Sequence, residues 1–127
     1  MPLAPAIVIH SLEHAKLALL PGRPVTLLSG HGAASYAGCL WWRAMLARAG
    51  VGPETPDLLD CADAPGRALE ALSVGCRGLV LLPCPAWDSV AERASIMGAT
   101  LYGERPPALD LAEPDAARRI EAWLGIG

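Results

Sequence analysis

Phenylalanine is missing from this chain altogether, and Lys16 is its only lysine. Ten basic side chains face thirteen acidic ones, for a formal net charge of -3. That balance leaves no electrostatic footprint for a phosphate backbone, so nucleic acid is not an expected partner. Charge of either sign is scarce: 18% of residues are charged and 53% hydrophobic, the reverse of a disordered composition. Long hydrophobic runs are lacking as well. The opening "MPLAPAIVIHSLEHAKLALL" has no basic leading region and sets Glu13 and Lys16 inside its apolar stretch. Neither a signal peptide nor a membrane span is therefore expected, and the chain reads as cytoplasmic. The four cysteines, Cys39, Cys61, Cys76 and Cys84, contain no CxxC pair and no zinc-ribbon spacing, which argues against a structural metal. Four free thiols are expected in a reducing compartment.

What is present is a rhythm of short apolar runs and helical ones. "AIVIH" (6–10) reads as a strand, Ser11 as a cap and "LEHAKLALL" as a helix closed by "PGRP",. "VTLLS" (25–29) precedes a helix expected from about Ala34 to Ala49. "PDLLDC" (56–61) leads to Asp63 as a cap and to a helix with Pro65 near its start and Gly75 at its stop,. "GLVLL" (78–82), the helix "PAWDSVAERASIM" and a short strand "ATLYG" (99–103) follow, and Pro114 opens a last helix. Near-continuous apolar strands separated by helices indicate a parallel sheet covered on both faces. The expectation is one α/β domain over 1–127: a three-layer α/β/α sandwich around a doubly wound, mostly parallel sheet of about five strands. This architecture resembles the Rossmann-like and flavodoxin-like mononucleotide-binding folds, a likeness that does not fix function.

In open α/β sheets, ligands bind beyond the carboxyl ends of the strands, near the point where strand order reverses. Those ends carry His10, Ser11 and His14 after the first strand, and Ser29, Gly30, His31 and Gly32 after the second. Asp60, Cys61 and Asp63 follow the third, and Cys84 and Asp88 the fourth. All three histidines fall on this edge. In "SGHGAAS", Gly30 and Gly32 could let backbone N–H groups from Gly32 to Ser35 meet an anion at a helix N-terminus. The loop resembles the dinucleotide fingerprint G-x-G-x-x-G only in part, since Ser35 stands where the third glycine would be. The expected ligand-binding set is Ser29, Gly30, His31, Gly32, Ser35, His10 and Asp60, the ligand a small anionic metabolite or nucleotide. No particular cofactor follows from these residues.

An enzyme is the alternative. Pro85 after Cys84 would set that thiol at a helix start, where the dipole favours thiolate, while His31 and Asp60 are candidates for acid/base work. Ser35 lacks the G-x-S-x-G turn of a nucleophile elbow. A third class, an oligomeric scaffold, rests on the second helix. Tyr36, Cys39, Leu40, Trp41, Trp42, Met45 and Leu46 make it apolar nearly all round, so a homodimer through Trp41 and Trp42 is expected to cover its outer side.

Overall fold

The structure is a computed structural model that describes residues 3–125. Its elements are β1 (Ala6–Val8), α1 (Leu12–Leu19), β2 (Thr26–Leu28), α2 (Ala33–Tyr36), α3 (Cys39–Arg48), β3 (Asp57–Asp60) and α4 (Pro65–Ser73). After them come β4 (Gly78–Val80), α5 (Trp87–Ile96), β5 (Thr100–Tyr102), β6 (Ala108–Asp110) and a 3₁₀ turn, Ala116–Arg119, that runs into α6 (Ile120–Trp123). Local chemistry explains several boundaries. The Ser11 side chain accepts the His14 N–H and caps α1,. The single helix expected from Ala34 to Ala49 is instead two, because Gly38 takes φ +93° between α2 and α3. An L side chain would resist that conformation, and the helical ladder stops there. At α4, Ala64 rather than Asp63 is the cap residue, with Pro65 beginning the helix.

All six strands run parallel in one sheet of order β5-β4-β3-β2-β1-β6. This is the α/β architecture of Rossmann-like and flavodoxin-like folds. The chain steps from β1 to β5 in one direction, then returns through residues 103–107 to pair β6 with the free side of β1. The strand β6 was not expected from sequence. Its three residues lie between prolines, and its partner β1 is remote along the chain.

The alternation of side chains across the sheet sorts the core into two parts. Ile7, Leu27, Leu59 and Leu79 join buried side chains from the helices in one large cluster, including Ala15, Trp42, Leu72, Val90 and Ile120. Val8, Leu28, Leu58 and Val80 point to the opposite face, where Leu3, Tyr102 and Ala108 pack against them. That second cover is thin and comes from connecting segments. It still leaves the four strand residues no more than 3% exposed, so each contributes about 1.5–3 kcal/mol of apolar burial.

Trp42 is wholly enclosed in its own chain, at 0% exposure, and its indole N–H donates to Asp57 Oδ1 at 3.3 Å. Trp41 packs against the same core, half-buried. The helix that carries them exposes Leu40 instead.

Candidate functional site

One residue row on the thinly covered face collects the chemistry. In register, Val8 stands beside Leu28 and Leu28 beside Leu58. The ladder continues past the strand ends through Ile9 N–H to Leu28 O at 2.8 Å and Ser29 N–H to Leu58 O at 3.0 Å. Two residues further on, the same parity carries His10, Gly30 and Asp60 in sequence across β1, β2 and β3. Asp110, at the end of β6, is in register with Val8 and reaches His10 diagonally from the other side.

His10 Nε2 lies 2.8 Å from Asp110 Oδ1, with the two side chains 33% and 35% exposed. The pair spans β1 and β6, where strand order reverses. In the neutral ring, this carboxylate fixes the proton on Nε2 and leaves Nδ1 as a bare acceptor. The edge of the ring that carries it lies toward Gly30: a Cβ added there would meet His10 Cε1 at 3.0 Å, His10 Nδ1 at 3.1 Å and Tyr36 Oη at 2.5 Å. Glycine is thus what allows the imidazole and the phenol to converge over β2. Burial alone would raise the Asp110 carboxyl. The Ala112 N–H, the His10 hydrogen bond and the charges of His10 and Arg105 outweigh it and hold Asp110 below the ordinary carboxylate range,.

His14, one turn into α1, accepts the His10 backbone N–H on Nδ1 at 3.0 Å, and its ring meets that of His10 edge-on at 5.7 Å. Burial, then the neighbouring charge of His10, push its pKa below the usual histidine value, against the smaller pulls of Asp110 and Glu13.

Asp60 is 3% exposed and fully engaged. Oδ1 accepts the N–H groups of Gly32 at 3.0 Å and Ala62 at 2.7 Å, and Oδ2 accepts Arg105 Nη1 at 2.7 Å. The first two contacts fix the turns on either side, including Ala62 at φ +51°. Arg105 also donates to Ser29 O at 3.0 Å, so the 103–107 crossing is pinned over β2 and β3. Ser29 is internal as well: its Oγ accepts the Asp60 N–H and donates to Gly30 O.

The expected ligand-binding residues therefore separate. His10, Gly30, Asp60 and Ser29 meet in one place. His31 is exposed and makes no hydrogen bond among the described residues, and Ser35 is likewise exposed. The anion cradle expected from Gly32 to Ser35 has most of its donors committed. Gly32 N–H goes to Asp60, Ala33 N–H to Gly30 O and Ser35 N–H to Gly32 O. The helix behind them, α2, is a single turn of four residues with little dipole to offer,. Cys84 lies two residues before Ala86, the cap residue of α5, and is half-buried against the core. Among the described residues, no group of three or more His, Cys, Asp or Glu side chains is placed to hold a metal ion.

Three contributors were missed: Asp110, Tyr36 and Arg105. Asp110 left a signal in the alternation "ALDLA", which presents one acid among inward leucines. Arg105, in "RPP", left none. Chemically, the cluster is a histidine oriented by a carboxylate, its ring packed over Gly30 beside a phenol and near a guanidinium. No protein-family model and no curated protein matches this chain.

Proposed function

We propose that the protein binds a small anionic metabolite or nucleotide at the carboxyl ends of β1, β2 and β6, and that His10 exchanges a proton with it. The observation that carries this reading is the 2.8 Å contact of His10 with Asp110 at the reversal of strand order. A positioned acid/base group contributes roughly 10²–10⁴-fold to a reaction, and a carboxylate partner sets which nitrogen does the work. The side chains that face the ligand in this reading are His10 and the Tyr36 hydroxyl, the Arg105 charge being taken up by Asp60. The Gly32–Ser35 backbone has no such part in this reading.

The test is a ligand-observed NMR screen of small phosphates, carboxylates and nucleotides against the unmodified protein, His10→Gln, Asp110→Asn and a remote control, Arg118→Ala. Ligands should bind the unmodified protein and Arg118→Ala, and lose at least tenfold in affinity with His10→Gln. Equal binding to His10→Gln would sink the reading. The proposal includes a cytoplasmic setting, in which all four thiols stay reduced, and a homodimer. With Trp42 enclosed, the dimer rests on the exposed Leu40. Light scattering should then find a dimer that Leu40→Glu dissociates, and a monomer for the unmodified protein at micromolar concentration removes it.

A further inference from the structure

The thinly covered face holds a second feature, below the histidine row and separate from it. A cleft of about 530 Å³ opens between the 103–107 crossing and the segment Leu3–Ala6, with Tyr102, Trp123 and Pro107 in its walls and Glu104 and Arg105 at its side. That volume lies within the usual range for small-ligand sites, roughly 300–1,000 Å³. Its two charged residues are not equivalent. Arg105 is turned to Asp60 and Ser29 O and is only 15% exposed, so its charge is neutralised away from the cleft. Glu104 is exposed and has no ion-pair or hydrogen-bond partner among the described residues. Trp123 is fixed by its indole N–H, which donates to Ala6 O at 2.7 Å, and 37% of the residue remains exposed.

We infer that this cleft binds a small organic cation, an alkylammonium group, with Glu104 as counter-charge and Trp123 and Tyr102 as aromatic walls. Ring faces attract cations through their quadrupole, most strongly for tryptophan. An apolar proline-lined wall suits the methyl or methylene groups such a cation carries, whereas an anion meets only the Glu104 carboxylate, the Arg105 charge being taken up by Asp60. The site does not depend on the His10 reading, and either can fail without the other.

The experiment titrates the nitrogen-15-labelled protein with tetramethylammonium, using tert-butanol as an uncharged control of similar size. The Trp123 indole N–H resonance, assigned through Trp123→Phe, should move on adding the cation, while those of Trp42 and Trp87 stay in place. Glu104→Gln changes an exposed side chain, so the fold survives it. Glu104→Gln should weaken binding about 3- to 10-fold, and tert-butanol should bind at least as poorly, because the cation contributes about 2- to 30-fold. Tyr102→Phe keeps the aromatic wall and should bind as the unmodified protein does. An unmoved Trp123 resonance, a Glu104→Gln variant of unchanged affinity, or tert-butanol producing the same shift at the same concentration would each overturn the assignment.

Discussion

The histidine pair shows how much one hydrogen bond constrains a titration. His14 accepts the His10 N–H through Nδ1, and an imidazolium has no lone pair with which to do so. Its folded pKa lies below the ordinary 6.5, through burial first and the His10 charge second. As pH falls through 6.5, the unfolded chain takes up the proton before the folded one, so stability is full above that value and declines below it. Thermal unfolding should therefore show a lower midpoint at pH 5.5 than at 7.5, with a smaller difference in His14→Gln. An unchanged difference in that variant would assign the effect to another group. Thiol chemistry is decided equally locally. Burial pushes Cys61 and Cys76 up to about 12, which leaves almost no thiolate at neutral pH. Cys84 is the one thiol that is not buried. Iodoacetamide followed by peptide mass spectrometry should label Cys84 first and leave Cys61 and Cys76 unmodified until the protein unfolds.

Among the elements, β4 opens on a glycine that its neighbouring strand requires. A Cβ on Gly78 would overlap the Asp57 carbonyl oxygen and press on Leu58, so the close approach of β3 and β4 depends on the absent side chain. Gly78→Ala should cost about 1–3 kcal/mol by overpacking, read as a lowered urea midpoint with an unchanged slope. Gly66, inside α4, has open space around the same added atom. Gly66→Ala should be neutral or stabilising, since it lowers the entropy of the unfolded chain and favours helix. If both variants behave alike, the contact with Asp57 is not what demands glycine at 78.

The molecule as a whole is closed by one long-range tie. Residues 103–107 carry the chain from one edge of the sheet to the other, and Arg105 fastens that crossing to Asp60 across β3. Removing one partner of such a buried pair strands the other charge, at a cost of about 3–5 kcal/mol. Arg105→Met should therefore destabilise strongly in urea, and the double variant with Asp60→Asn should recover part of the loss. Strictly additive losses would mean that the pair is not coupled. The crossing runs directly into β6, which pairs with β1 and carries the Asp110–His10 contact, so Arg105→Met should also weaken ligands that depend on His10.

Much of this was legible in the chain itself. Local periodicity and caps determine the βα alternation from β1 to β5, because the partners in a helix turn or a strand's apolar run are near neighbours. The placing of His10, Gly30 and Asp60 at the carboxyl ends of strands follows from the same alternation. Gly38 marks a break in the chain as well, through the freedom of glycine at positive φ, but the apolar run around it masks that signal,. Tertiary structure alone decided the rest. Asp110 meets His10 from 100 residues away, a pairing set by which edge of the sheet β6 joins and not by any local preference. The Gly32 N–H faces Asp60 because β2 and β3 are adjacent, and that adjacency turned an apparent anion cradle into an internal bond. Arg105 reaches Asp60 because the crossing must pass over β2 and β3 to bring β6 beside β1, and strand order is fixed by the packing of the whole core.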